Sequence, residues 1–198
     1  MALYSVTLAK EMKSTAGPKG LTAKDLKAQM LSAAELADIS ATGASTALVA
    51  SLGEDGKLSA VNLGNSFLMV VQDGEIVARS KDIVHYFDCP NQVSVESPDR
   101  PIDGTIMDVE IIPGDTIVLG SDGMFDNLTE DAVCDIIKEG STANMIANVI
   151  SLESRRVGDD TTAKIPYATK AKKNRYEEYS DGLGGKVDDV SCVVVKCS

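Results

Sequence analysis

Four short apolar segments separated by tight turns place the strongest constraint on the fold. They lie at residues 45–52, 57–63, 67–72 and 75–79, and the connections between them contain GEDG, GNS and DG. Apolar segments of this length, bounded by Gly, Asp and Asn, are typical of β-strands. Because a parallel crossover needs a dozen residues or more, strands this close in sequence are predicted to pair as antiparallel hairpins.

The second half of the chain adds three further strands and one long connection. Residues 106–112 and 115–120 are predicted to form another hairpin across a Pro-Gly-Asp turn. Residues 190–196 are continuously rich in Val, which is typical of a central strand buried on both faces. Apolar periodicity is lost over residues 158–183, which are predicted to form a long irregular loop.

Helical periodicity fills the remaining intervals. Residues 22–37 are predicted to form an amphipathic helix with Thr22 as its N-cap, since Asp25 follows three positions later. Thr129 is predicted to cap a second helix, whose first turn is acidic and therefore suits the helix dipole. A third helix is predicted over residues 142–155.

Length and charge limit the architecture and the partners. Residues 1–198, of which 43% are apolar, are predicted to form one domain of the α/β (α+β) class, a sandwich of mainly antiparallel β-sheets flanked by helices. No apolar run approaches the roughly 18 residues that span a membrane, and no secretory signal is recognisable. The net charge of −11 argues against nucleic acid and anionic membranes as partners, because both select Lys and Arg. The locally basic segment 155–175 favours a solvated loop over a docking patch for a phosphorylated substrate.

The cysteines and the single histidine argue against a zinc site and against catalysis by a Ser-His-Asp or Cys-His set. Cys89, Cys134, Cys192 and Cys197 form no CxxC pair and no zinc spacing, which favours an intracellular, reducing compartment. Catalysis by a Ser-His-Asp or Cys-His set is disfavoured, because each set needs a histidine and His85 is the only one in the chain. His85 lies beside two aromatic residues and is predicted to be structural.

Carboxylates stand at the ends of two predicted strands. Asp122 directly follows one strand, and Asp188 and Asp189 directly precede another. Carboxylates held at stiff strand ends and brought together from distant segments could bind a hard divalent cation such as Mg²⁺ or Mn²⁺. The alternative is that Asp122-Gly123 is only a turn, since Asp-Gly is a common turn dipeptide.

The order of these motifs resembles the C-terminal part of a known phosphatase family. GSDGMFDNLTEDAV begins at Gly120, and YSDGLGGKVDDVSCVVV begins at Tyr179. Upstream stand GASTALVASL, AVNLGNSFLMVVQDGEIVARS and HYFDCPNQ. Together they resemble the metal-dependent protein phosphatases of the 2C family, in the branch with SDG-x-FDNL and GGK-x-DD motifs. The resemblance covers about residues 42–196.

The resemblance implies an activity and a set of metal ligands. It implies a serine/threonine protein phosphatase that hydrolyses phosphoserine or phosphothreonine with a metal-activated water, and Mg²⁺ or Mn²⁺ as the cofactor. Asp122 and Asp188 match metal ligands of the family. Four further positions match residues near those ligands or near an additional, weaker metal: Asp126, Asn65, Asp189 and Gly123.

Two departures from the family pattern accompany this match. Asn65 stands where the family's GDSG turn has an acidic residue, so the additional metal should bind less tightly. No residue matches the family's first acidic ligand, its bridging Asp or its phosphate-binding Arg. We therefore assign no catalytic residue from the sequence, and the family's binuclear site is half present.

Three interpretations follow from the half-present site. The chain is a piece of an active phosphatase, a pseudo-enzyme that acts as a binding or structural subunit, or one half of a site completed by another chain. Since missing strands leave sheet edges unpaired, a partner chain or a dimer is expected to cover them. A phosphoprotein is the other expected partner. The similar branch is often organellar, so cytoplasmic and organellar (mitochondrial) locations both stay open.

Overall fold

Helices and antiparallel β-sheets make up the computed structural model, which describes residues 19–38, 43–94 and 97–198. The predicted α+β class is therefore confirmed. In chain order the elements are α1 (Ala23–Asp38), β1 (Ala44–Ser45), β2 (Ala47–Leu52), β3 (Lys57–Leu63), β4 (Phe67–Gln72), β5 (Glu75–Arg79), β6 (Val84–Tyr86), β7 (Cys89–Pro90), β8 (Val93–Ser94), a 3₁₀ turn (Pro101–Asp103), β9 (Thr105–Glu110), β10 (Thr116–Gly120), α2 (Asp122–Phe125), α3 (Glu130–Glu139), α4 (Ala143–Gly158), α5 (Pro166–Lys173), a second 3₁₀ turn (Glu177–Tyr179) and β11 (Cys192–Lys196).

Two units, each described separately below, divide the chain. The first unit comprises Met1–Asn65, Ser80–His85 and Cys89–Ile112, and the second unit comprises Ser66–Arg79, Tyr86–Asp88 and Pro113–Ser198.

The first unit packs helix α1 on a three-stranded antiparallel sheet in the order β2-β3-β9. Thr22 and Asp25 cap α1 reciprocally: the Thr22 N–H donates to Asp25 Oδ2 at 3.0 Å, and the Asp25 N–H donates to Thr22 Oγ1 at 3.3 Å. This confirms the predicted helix start. On the buried face of α1, Leu26 and Met30 pack against Val61 and other core residues.

The second unit is built on a four-stranded antiparallel sheet in the order β11-β10-β4-β5. Residues of β4 and β10 form its core with apolar residues of the helices α2, α3 and α4. The Thr129 hydroxyl accepts from the Ala132 N–H at 3.2 Å, and the Thr142 hydroxyl caps α4 in the same way. The predicted α3 and α4 are therefore confirmed. In the described part of the chain, no helix has both the length and the apolar character needed to cross a membrane.

Two of the predicted hairpins are wrong. Strands β3 and β4 do not pair with each other, because β3 lies between β2 and β9 whereas β4 lies between β5 and β10. Strands β9 and β10 likewise belong to different sheets. A three-residue connection can carry the chain from one sheet to another as well as reverse it within a sheet, and its length alone does not distinguish these outcomes.

The end of the chain also differs from prediction in two places. Strand β11 is an edge strand with exposed Val193 and Val195, rather than a buried central strand. Residues 158–183 are not a continuous irregular loop, because they contain α5 and a 3₁₀ turn. Helix α5 buries only Tyr167 and two alanines, so it lacks the large apolar residues by which a helix is recognised in sequence.

Substitution of the α3 cap tests how the helix behind the sheet is held. Thr129→Ala should lower the free energy of unfolding by about 1 kcal/mol, because the exposed hydroxyl has the Ala132 N–H as its cap partner. Thr129→Ser keeps the hydroxyl and should stay within a few tenths of a kcal/mol of the parent. Urea denaturation measures both variants. Equal losses in the two variants would show that the hydroxyl is not the stabilising group.

Candidate functional site

The ammonium group of Lys186 lies among four aspartate carboxylates of the second unit. Its Nζ donates a hydrogen bond to Asp126 Oδ2 at 2.7 Å. Three more carboxylate oxygens lie within ion-pair distance of the same Nζ: Asp188 Oδ2 at 3.4 Å, Asp122 Oδ2 at 3.6 Å and Asp88 Oδ1 at 3.8 Å. We call these four residues the carboxylate cluster. Distant segments thus converge on one cation position.

The pairing of β10 with β11 brings Asp122 next to Asp188. The register places Gly120, the last residue of β10, opposite Cys192, the first residue of β11. Ser121 extends this contact, because its hydroxyl donates to the carbonyl oxygen of Asp189 at 3.0 Å and accepts from the Ser191 N–H at 3.0 Å. Residues just after β10 are thereby fixed beside residues just before β11.

Gly123 allows the two segments to approach closely. A Cβ atom at this position would lie 2.6 Å from the carbonyl oxygen of Asp189, closer than carbon and oxygen atoms tolerate. The Gly123 N–H donates to Asp122 Oδ1 at 3.0 Å and thereby orients that carboxylate. Glycine is therefore required at position 123 by packing, and Asp122-Gly123 begins the short helix α2 instead of forming only a turn.

Asn127 holds the backbone of Lys186 from both sides. Its Oδ1 accepts from the Lys186 N–H at 3.0 Å, and its Nδ2 donates to the Lys186 carbonyl oxygen at 2.8 Å. The same Nδ2 also donates to the Gly123 carbonyl oxygen at 2.9 Å. Asn127 is 4% exposed, so these bonds are shielded from water. Before Lys186, the N–H groups of Gly184 and Gly185 donate to the carbonyl oxygens of Ala163 and Asp160.

The surroundings of Lys186 favour its charged form. Burial opposes the charge, but the carboxylates of Asp126, Asp122 and Asp88 outweigh it and hold the pKa of Lys186 above its ordinary value. The ammonium also lies 4.6 Å from the centre of the Tyr167 ring, a favourable cation–π contact. Burial is likewise the main reason that the pKa of Asp126 lies above its ordinary value, and repulsion by Asp122 adds to it.

The cluster fits a divalent cation in its chemistry but not in its present geometry. Carboxylate oxygens are the preferred ligands of Mg²⁺ and Mn²⁺, and four carboxylates face one ammonium, an excess of negative charge. Within residues 19–38, 43–94 and 97–198, however, no three Asp, Glu, His or Cys side chains are grouped so as to hold a metal ion. The position between the carboxylates is taken by the Lys186 ammonium.

The sequence-predicted site residues divide between the units. Asp122, Asp126 and Asp188 meet around Lys186, as described above. Asp189 is exposed, and its carbonyl oxygen is the atom that contacts Ser121. Asn65 belongs to the first unit, in the connection that follows β3, so its role at an additional metal stays a prediction.

Sequence reasoning missed Lys186, Asp88 and Asn127 as site residues. A lysine in a Gly-rich segment reads as a solvated side chain, whereas this one has only 18% of its side chain exposed. Asp88 adopts φ of 62°, which Asp tolerates better than most residues, but nothing in its spacing connects it to the other carboxylates. For Asn127 the signal was its place within the FDNL motif.

His85 contacts a buried aspartate of the first unit, and its structural role stays a prediction. Its Nε2 lies 3.0 Å from Asp99 Oδ2, and Asp99 is 7% exposed. The same carboxylate accepts from the Gln92 N–H at 2.9 Å and from Asn91 Nδ2 at 3.0 Å. Burial raises the pKa of Asp99, but the hydrogen bonds from the Gln92 N–H, His85 and Ser97 outweigh it and hold the pKa below its ordinary value. Asp99 therefore ties together a loop of the first unit.

Comparison with known proteins shows which class of protein the chain is similar to. No family model matches the chain. The chain is 34% identical over 166 residues to "Probable protein phosphatase 2C 26" of Arabidopsis thaliana, a match that covers 78% of the chain and 54% of that relative. The X-ray structure of the photosystem II phosphatase PBCP matches 100% of the chain and 77% of its own length, with a TM-score of 0.81 and 25% identity.

A second similar structure is the catalytic domain of the serine threonine protein phosphatase PstP in complex with two manganese ions. It matches 79% of the chain and 74% of its own length, with a TM-score of 0.62 and 16% identity. The chain is therefore a homologue of the protein phosphatases of the 2C family, and the resemblance seen in its motifs is confirmed. It spans about half the length of the curated relatives that it matches.

Replacement of the Asn127 amide tests how firmly the cluster is positioned. Asn127→Asp removes both N–H donors and sets a carboxylate against two carbonyl oxygens, so the free energy of unfolding should fall by about 2–4 kcal/mol. Asn174→Asp is the matched control, because exposed Asn174 donates to one carbonyl oxygen at a helix end. It should cost less than about 1 kcal/mol. Urea denaturation distinguishes the two, and similar losses would contradict the assigned role of Asn127.

Proposed function

We propose that this chain is part of a metal-dependent serine/threonine protein phosphatase, with a phosphoprotein as its substrate and Mg²⁺ or Mn²⁺ as its cofactor. The observation that carries the proposal is the convergence of Asp122 and Asp188 on one cation position. These residues stand at adjacent ends of paired strands, where a pair of metal-binding carboxylates would be held stiffly.

The roles of individual residues follow from their contacts. Asp122 and Asp188 would hold the metal ion, and Asp126 would contribute a third carboxylate on the same side. When bound, the metal would supply an activated water and neutralise charge on the phosphate. Ser121 and Gly123 keep Asp122 in place, since they join its backbone to the segment that carries Asp188.

Sequence and structural similarity support the same chemistry. The relatives named above are called protein phosphatases, and the PstP catalytic domain was solved with two manganese ions. Because the chain corresponds to only about half of its curated relatives, the residues that complete their sites are assigned to no position here. An active site would then require carboxylates beyond those of the cluster.

A second candidate function is a binding or structural subunit without catalysis. The specific observation in its favour is that the cation position already contains the Lys186 ammonium, bonded to Asp126. The amide of Asn65, in place of an acidic residue, points the same way. In this case the carboxylate cluster would stabilise the second unit without any metal.

We also propose a reducing, intracellular compartment, either cytoplasmic or organellar. All four cysteines are free thiols, including the buried Cys134. Burial raises the pKa of Cys134 and of Cys192, the latter to about 11, so both would be poorly reactive as thiolates. Buried, unreactive thiols are typical of structural cysteines.

Phosphate release from a phosphothreonine peptide, titrated with Mn²⁺, tests the proposed function. Asp122→Ala should lower kcat/KM by about 100-fold or more, because the metal would lose one of the two carboxylates proposed to hold it. Asp135→Ala is the matched control: its side chain is 72% exposed on α3, and its removal should leave turnover unchanged. Turnover that survives in Asp122→Ala would overturn the ligand assignment. Absence of turnover in the parent chain would favour either the binding subunit or a site that further residues complete.

A further inference from the structure

The cation position of the carboxylate cluster is occupied by a side chain of the protein itself. We propose that Lys186 is an internal counter-ion of the cluster, and that a divalent cation binds by displacing its ammonium group. The second half of this inference rests on the proposed function, because it takes a divalent cation to be the cofactor.

Charge balance favours a cation at the centre of the carboxylate cluster. Four carboxylates approach one point, and Asp126 among them is only 15% exposed, so solvent screens their repulsion incompletely. Lys186 Nζ lies 2.7–3.8 Å from one oxygen of each. Without an ammonium or another cation at this point, the carboxylates would repel one another across a few ångströms. Lys186 thus does for the metal-free protein what a metal would do.

The Lys186 ammonium and a metal ion cannot occupy the cluster together. Both cations would need the same oxygens, since Lys186 contacts Asp122 Oδ2 and Asp188 Oδ2, the carboxylates expected to hold the metal. A dication at the centre of the cluster would also lie within a few ångströms of the ammonium and repel it. The two cations therefore compete, and neither assists the other.

The ammonium can leave the cluster while the Lys186 backbone stays in place. Both polar groups of the Lys186 backbone are bonded to buried Asn127, so the backbone is held while the ammonium is released. Nζ donates a hydrogen bond to Asp126, and its contacts with the three other carboxylates are longer. A four-carbon stem lets the ammonium swing to solvent by side-chain rotation alone.

A purely structural ion pair is the competing explanation, and metal affinity distinguishes the two. If Lys186 only stabilises the fold, its removal should leave the affinity for Mn²⁺ unchanged or weaken it, because the carboxylates would be less well ordered. If Lys186 competes with the metal, its removal should strengthen Mn²⁺ binding while it destabilises the metal-free protein. These effects have opposite signs, so one variant separates them.

The experiment compares Lys186→Met, Lys186→Arg and Lys57→Met with the parent chain. Lys57 is exposed in the first unit, so Lys57→Met removes the same charge away from the cluster. Thermal unfolding in the presence of a chelator reports the metal-free stability, and calorimetric titration with Mn²⁺ alone reports the affinity. Neither measurement depends on turnover.

We expect Lys186→Met to lower the metal-free Tm by about 4 °C or more, and to bind Mn²⁺ about tenfold or more tightly than the parent. Lys186→Arg keeps a positive charge, so it should stay close to the parent in both measurements. Lys57→Met should also match the parent. If the parent binds Mn²⁺ and Lys186→Met binds it equally or less tightly, the exchange of cations is overturned. The proposed function would then remain intact. Absence of Mn²⁺ binding in every protein would overturn both.

A labelling measurement on the parent chain covers the case in which Lys186→Met does not fold. An acetylating reagent modifies accessible amines, and mass spectrometry gives the rate at each lysine. Lys186, which is 18% exposed and bonded to Asp126, should react slowly without metal and at least several-fold faster at saturating Mn²⁺. Lys57 should react at the same rate in both conditions. A Lys186 rate that does not change with Mn²⁺ would overturn the displacement.

Discussion

Mutual repulsion among carboxylates is the constraint on which the arrangement of the second unit depends. The Lys186 ammonium contacts carboxylates from three segments. Asp88 lies between β6 and β7, and Asp188 precedes β11. Asp122 begins α2, and Asp126 directly follows it. The Lys186 ammonium between them offsets this repulsion. Every other contact at the site, from the Ser121 hydroxyl to the Asn127 amide, acts to keep that charge and its partners in register.

Antiparallel pairing explains why distant motifs meet here. In such a pair, the end of one strand lies beside the start of its neighbour, so a residue that follows β10 necessarily lies near a residue that precedes β11. The 60 or more residues between them form helices that pack on the sheet, and the apolar core of β4, β10 and α2–α4 fixes that sheet. The site is therefore positioned by the ladder and the core together, with glycine at position 123 to let the backbones approach.

The sequence alone carried the class of fold and half of the site. Turn chemistry, capping residues and strand-end carboxylates are local signals, so the capped helices and the meeting of Asp122 with Asp188 could be predicted. Sheet membership is not local: the β3–β4 and β9–β10 connections have hairpin lengths, yet each joins two sheets. The edge position of β11 was not predicted, because a run rich in Val is typical of a buried central strand. Lys186 was missed because burial of a lysine depends on carboxylates that lie far away in sequence.

The double hydrogen bond between Asn127 and the Lys186 backbone has a kinetic consequence. In the proposed exchange the loop does not have to open, so the ammonium would leave by rotation of its side chain alone. The slow event would then belong to the ion, which has to shed water before carboxylates can replace it. Mg²⁺ dehydrates reluctantly. Because Asn127 holds the Lys186 backbone in place, the rate of metal uptake would be set by how fast the incoming ion loses its water ligands.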